Sequence, residues 1–161
     1  MNFDQVIKHV RASLKSLPAA TVTKFVVPRG AFSDADSLSG RGSLEELVGH
    51  SRVFELATED TQSEPVRLGG EAPSGYTDII PVRVRYDGGG NVDRSALMAE
   101  VRKDQQALID AIFRSGWANV GGLAHLSAEP GEISSFELGD DSGRTFEGLI
   151  SVITITASYD L

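Results

Sequence analysis

Apolar positions along the chain recur first with a helical period. Phe3, Val6, Ile7, Val10, Leu14 and Leu17 fall at i, i+3, i+4, i+7, i+11 and i+14, one stripe of a helix. Asp4 sits in its opening turn, where a carboxylate suits the positive end of the dipole, and Pro18 marks its stop. The period then changes. Thr21–Val27 (TVTKFVV) is β-branched and runs into Pro28, a strand signal. Residues 28–42 have no period and are rich in Gly, Ser and Asp, which reads as a loop. Ser43-Leu-Glu-Glu46 has the capping-box pattern for a short helix that Gly49 ends, and Arg52–Ala57 reads as a second strand.

Residues 58–75 are the most polar stretch and hold two prolines, so a long loop is expected there, of the kind that is mobile or functional. Tyr76–Tyr86 (YTDIIPVRVRY) is the clearest strand. Ile80, Val82, Val84 and Tyr86 point to one face, while Pro81, Arg83 and Arg85 point to a wetted one. Pro81 cannot donate to a ladder, which places this strand at an edge or puts a bulge there. DGGGN (87–91) then turns the chain into the longest helix, Asp93–Ser115, with Leu97, Val101, Leu108, Ile112 and Phe113 on its inner side and Gly116 at its C-cap. Leu123–Ser127, a turn at EPGE (129–132) and Ile133–Leu138 follow. A second turn, GDDSG (139–143), leads into Arg144–Tyr159, a strand that could reach ~50 Å fully extended. The expected order is α-β-α-β-β-α-β-β-β. The fold class is α+β: one domain over 1–161, a mixed β-sheet flanked by helices, with a long C-terminal β arm.

Charge narrows the function. The 161 residues hold 15 Lys plus Arg against 23 Asp plus Glu, a net −8, which opposes any broad phosphate-binding surface. No cysteine is present, which removes disulfides, thiolate metal sites and cysteine nucleophiles together. No stretch approaches the roughly 18 apolar residues needed to span a membrane. His9, Arg11 and Lys15 stand where a signal peptide needs its apolar run, so the expected compartment is the cytoplasm.

Candidate chemistry is sparse. Gly40-Arg-Gly42 precedes a capped helix but lacks the Lys-Ser/Thr of a P-loop, and Glu45 stands where a dinucleotide fingerprint needs its third glycine. Gly88–Gly90 fails the same test at Asp93. Asp34, Asp36 and Glu45 match positions 1, 3 and 12 of a calcium loop, yet Leu38 and Ser39 occupy positions 5 and 6. His9, His50 and His125 form no ligand pair. Gly49-His-Ser51-Arg-Val53 begins like a nucleophile elbow but closes on valine, and a triad from Ser51, His125 and an Asp has no local signature. Glu45/Glu46 and Glu129/Glu132 read as capping and turn solvation. The expectation is a non-enzymatic protein with no catalytic residue, metal or cofactor.

Arg83 and Arg85, with Arg67 before them, want carboxylate partners. These are either intramolecular or across a subunit interface, where bidentate pairs set register. The long last strand favours the interface, because an extended exposed edge invites another chain. Arg83, Arg85, Ile153, Ile155 and Tyr159 are therefore the candidate subunit-interface residues.

The whole order resembles the tail-terminator and tail-completion proteins of long-tailed bacteriophages. The likeness rests on the amphipathic first helix (NFDQVIKHVRASLKSL) and on a strand running through a turn into one long helix (DIIPVRVRYDGGGNVDRSALMAEVRKDQQALIDAIF). It closes on the terminal β arm (FEGLISVITITASYDL). The resemblance implies a virion structural protein, assembled in the host cytoplasm into a homo-oligomeric ring, usually a hexamer. Such a ring caps the tail tube, ends its polymerisation and joins tail to head connector. Its implied partners are the tail tube protein and a head-completion or connector protein, with DNA passing through the lumen without specific binding. Two alternatives stand beside it: another neck or tail-completion protein, or a small α+β ligand-binding domain or enzyme with a pocket under loop 58–75.

Overall fold

The computed structural model describes residues 3–16, 32–37, 43–47, 52–56, 62–66, 75–87, 94–114, 123–139, 142–143 and 145–160. Its frame is a pair of long antiparallel strands, β4 (Gly75–Asp87) and β6 (Thr145–Asp160), paired without a break from Gly75↔Asp160 to Asp87↔Gly148. On β4, Ile80, Val82, Val84 and Tyr86 are fully buried, and Ile153 and Ile155 face them from β6. The period-2 alternation read from sequence is thus the inner face of the sheet.

The remaining strands hang on this pair. β1 (Ser33–Asp34) runs parallel to β2 (Val53–Leu56), which pairs antiparallel with Val82–Arg85 of β4. β3 (Gln62–Val66) pairs with Gly75–Ile79 of β4, and β5 (Leu123–Gly139) pairs with β6 on the far side. The order is β1-β2-β4-β6-β5, a mixed sheet of six strands with β3 beside β2 on β4.

Two helices cover one face. α1 (Phe3–Lys15) contributes Val6, Val10 and Leu14, and α2 (Arg94–Arg114) contributes Leu97, Val101, Leu108 and Ile112, all into one cluster with the β4 and β6 side chains. Each such side chain, fully buried, is worth about 1.5–3 kcal/mol. A smaller cluster forms on the opposite face. There Ala35, Leu44 and Leu47, from the one-turn 3-10 segments Ala35–Ser37 and Leu44–Glu46 and the residue that follows, meet Val53, Ile150 and Phe136. No described helix is long and apolar enough to cross a membrane.

The α+β class stands, and several boundaries change. Residues 62–66, inside the expected loop 58–75, form β3, because their backbone completes the ladder that β4 offers beyond the end of β2. Residues 33–37, inside the expected loop 28–42, form β1 and a 3-10 turn. The helix after Ser43 is a single turn; its capping box forms, with the Ser43 N–H donating to Glu46 Oε2 at 3.2 Å. EPGE is not a turn: β5 runs through it as one strand of 17 residues with a bulge between Pro130 and Ile133. The strand Thr21–Val27 and the glycine runs at 40–42 and 88–90 lie outside the described residues.

The bulge is held by α2. Buried Gln105 donates through Nε2 to the Gly131 carbonyl at 3.3 Å and to the Val152 carbonyl at 3.1 Å, while Arg102 donates to Gln105 Oε1 at 3.0 Å. A bulge frees ladder carbonyls, and a side-chain amide on the facing helix satisfies them. Gly131 is required there, since a Cβ would stand 2.8 Å from the Val152 carbonyl oxygen.

A second tie crosses the core. Arg52, at the start of β2, has φ +57, a conformation that costs a non-glycine residue about 1–3 kcal/mol. Its guanidinium binds Asp104 of α2 with both carboxylate oxygens, Nε–Oδ2 at 3.0 Å and Nη2–Oδ1 at 2.6 Å, and lies 4.6 Å from the Phe32 ring centroid. Both partners are buried. Asp104→Asn removes the charge facing a buried guanidinium and should cost about 3–5 kcal/mol, read as a lower urea midpoint at unchanged slope. Deleting residues 144–161 removes the strand between β4 and β5. The product is expected to show no cooperative thermal transition.

Candidate functional site

The face of the sheet turned away from the helices has two halves. At one end it is closed by Ala35, Leu44 and Leu47. Arg83, directly opposite Glu55 on β2, forks between two carboxylates: Nη1 to Glu55 Oε1 at 2.8 Å and Nη2 to Glu45 Oε1 at 2.7 Å. Partial burial pushes the Glu45 carboxyl up. Its own backbone N–H, the Arg83 guanidinium and the Ser43 hydroxyl outweigh that effect and hold it below the ordinary glutamate value. Arg85 lies fully buried under the same segment, its guanidinium 5.1 Å from the Phe136 ring centroid. Burial pulls its pKa down, opposed by the Asp87 and Glu45 carboxylates.

Among the described residues, no element covers the other half. Alternation along β4 and β6 turns Thr77, Ile79 and Pro81, with Val152, Thr154, Thr156 and Ser158, to this side, and all are half-exposed. They lie on the two central strands, where a sheet is ordinarily covered on both faces or polar on one. Thr77 Oγ1 and Ser158 Oγ bond each other at 2.9 Å across the ladder. Exposed Glu64 on β3 and exposed Glu129 on β5, opposite Thr77 and Thr154, flank this strip. The described residues of this half hold no lysine or arginine. Chemically it is a flat, uncharged, β-branched stripe between two carboxylates.

The residues expected at a subunit interface fall elsewhere. Ile153, Ile155 and Tyr159 face inward beneath the helices and are buried in the chain's own core. Arg85 is buried rather than wetted, because Ala35, Leu44, Leu47 and Phe136 cover its end of the sheet. Arg83 spends its fork on carboxylates of its own chain. β6 is not an edge strand: it lies between β4 and β5, and β5 is the outer one. Nor is β4 an edge or bulged at Pro81. Its flank there is the gap between β3, which ends opposite Ile79, and β2, which begins opposite Val82, so the missing N–H deprives no described partner on that side. Phe113, expected on the inner side of the long helix, is 46 % exposed.

The other candidates are spent within the fold. Asp34 and Asp36 both bind Arg11, Oδ2–Nε at 2.6 Å and Oδ2–Nη2 at 3.2 Å, while Glu45 binds Arg83, so the three acids of the calcium pattern serve two different arginines. His125 is exposed on β5 opposite Ser158; His50 and Ser51 lie outside the described residues. Asp78, buried on the inner face, accepts from the Ser63 hydroxyl. Burial, and then the nearby Asp78 carboxylate, push the Tyr159 phenol well above the ordinary tyrosine value. A hollow of about 210 Å³ on α1, lined by His9, Ala12, Ser13 and Ser16, has both of its hydroxyls bonded to the helix's own carbonyls. The described part of the 58–75 stretch, Gln62–Val66, does not line it.

Compared with known proteins, the chain matches no family model and no curated sequence.

Glu45 makes the closed half sensitive to acid. A carboxyl held below its unfolded value of 4.5 stabilises the fold above that pH, and the contribution is lost as pH falls through the lower folded value. The urea midpoint of the wild type should therefore fall below about pH 4.5 more steeply than that of Glu45→Gln, with the two curves converging at the acid end.

Proposed function

We propose that the protein is a structural subunit of a phage tail. In this reading copies of the chain close into a ring, hexameric by the resemblance, that caps the tail tube, ends its polymerisation and meets the head connector; the protein resides in the virion. The observation that carries the reading is the uncharged, half-exposed stripe on the two central strands. Half-exposed apolar area of this kind, rimmed by polar groups, is characteristic of surfaces that meet another protein.

Three further features support it. The chain opens on an amphipathic helix, places one long helix directly after a long strand, and closes on a two-stranded hairpin of 17 and 16 residues that belongs to the main sheet, the order that suggested the terminator resemblance. The β5 edge carries Glu129, Pro130 and a bulge at its middle, the devices that blunt an edge against indiscriminate pairing and leave a face as the better surface for a specific contact. The net charge of −8 suits a ring through which DNA moves without sticking.

The test is solution mass by light scattering at several concentrations, with negative-stain images of the same sample. Closed rings of about six subunits around a central hole are expected. A strict monomer that also fails to bind tail tubes overturns the reading in favour of a small ligand-binding domain.

A further inference from the structure

Among the described residues four carboxylates are buried: Asp34, Asp78, Asp87 and Asp104. Three of them face an arginine. Asp34 binds Arg11 at 2.6 Å, Asp104 binds Arg52 at 2.6 Å, and Asp87 acts on the Arg85 guanidinium. Asp78 is the exception. It is 3 % exposed, pairs with no lysine or arginine among the described residues, and takes its hydrogen bond from the Ser63 hydroxyl. A buried charge without a counter-charge is costly, so its persistence calls for a use.

Its surroundings supply one. Asp78 lies at the end of the inner face, beyond Ile80, and the alternation of β4 puts Tyr76 on the same side. Tyr159 of β6 stands directly opposite Tyr76, and Ser63 and Pro65 of β3 stand opposite Asp78 and Tyr76. Tyr76 is 40 % exposed, so this corner opens to solvent over an aromatic ring. The Tyr159 oxygen is buried, and no hydrogen bond of ordinary length and angle reaches it. Burial, and then the Asp78 carboxylate close by, keep the proton on that phenol, which leaves its lone pairs to accept.

We propose that this corner binds a guanidinium group, the arginine side chain of a partner protein. Its N–H groups take the Asp78 carboxylate and the Tyr159 oxygen, and its plane lies on the exposed ring of Tyr76. A guanidinium is planar, carries five donors, sheds water more readily than an ammonium and stacks on aromatic faces, which suits one carboxylate, one phenol oxygen and one ring. The carboxylate is the deep member and the ring the shallow one, a reach that a long unbranched side chain makes. Ser63 does not bar the way. It belongs to β3, whose side chains at 62–65 are all exposed, and a charge-assisted bond outcompetes a hydroxyl that leaves by turning about one torsion. The net charge of −8 draws basic partners toward the chain. The corner is on the opposite face from the uncharged stripe of β4 and β6, so its occupancy is independent of the ring.

The chain's three tyrosines make the test direct. With 3-fluorotyrosine incorporated, fluorine NMR follows Tyr76 and Tyr159 at the corner, and fully buried Tyr86 serves as internal control. The probe is N-acetyl-arginine-N-methylamide. The Tyr76 and Tyr159 resonances are expected to shift saturably at millimolar probe while Tyr86 stays in place, and the uncharged citrulline counterpart is expected to shift none. Asp78→Asn, which keeps an acceptor for Ser63, should weaken the probe about tenfold or more. Because it removes an uncompensated buried charge, its urea midpoint should equal or exceed that of the wild type. Tyr76→Leu, at an exposed position, should weaken the probe a few-fold. Glu64→Gln, on the other face of β3, should leave binding unchanged. No saturable shift in the wild type, equal binding by Asp78→Asn, tighter binding of the lysine analogue, or a lowered urea midpoint for Asp78→Asn overturns the site.

Discussion

Everything in the fold depends on the unbroken pairing of β4 with β6. Thirteen residue pairs in continuous register settle which side chains of both strands face the helices and which face away. A slip by one residue would exchange Ile80, Val82 and Val84 for Pro81, Arg83 and Arg85, placing two guanidinium groups beneath α1 and α2. No arrangement of the helical layer could accommodate that, so the register is enforced from both faces. It is enforced inwardly by the aliphatic cluster and outwardly by carboxylates that await Arg83 at one place only.

The chain made this frame readable because its two inner strands carry an undiluted alternation. Ile153-Thr154-Ile155-Thr156 and Ile80-Pro81-Val82-Arg83 state both faces in the simplest possible pattern, and the i, i+4, i+8 spacing of Val6, Val10 and Leu14 states the helix that covers them. What was not readable depends on neighbours. Gln62–Val66 has no strand character of its own, with Pro65 in its middle; it is a strand because β4 extends past β2 and offers unpaired backbone. Pro130 and Gly131 read as a turn because proline and glycine usually make one, and only the amide of Gln105, reached across the helix–sheet interface, shows why the chain continues straight. Arg85 carried the signal of a wetted face, and nothing local announces that Ala35, Leu44 and Leu47 would fold over it.

The candidate surface was half-legible in the same sense. The outward threonines of β6 are visible in the alternation, but attention falls on the charged residues of β4, whose partners turn out to be intramolecular. Phe113 misled for a different reason. It adjoins Ile112 at the last turn of a helix, where a single residue shifts the direction by 100°, and here that step carries Phe113 off the buried face that Leu108, Ile109 and Ile112 occupy. The residue that breaks the amphipathic pattern is the one left at the surface.

The separate seating of β2 and β3 along one flank of β4 has its own consequence. Because Ile80 and Pro81 lie between the two seats, the five pairs of β3 and the four of β2 share no residue of β4. β3 is therefore a detachable cooperative unit, able to open at the cost of its own short ladder while the core stays closed. It also makes this flank the place where lineages can lengthen, shorten or rewrite the chain. Loop-closure entropy grows only slowly with length, so evolution can remodel this side of the sheet without renegotiating the register that holds the rest together.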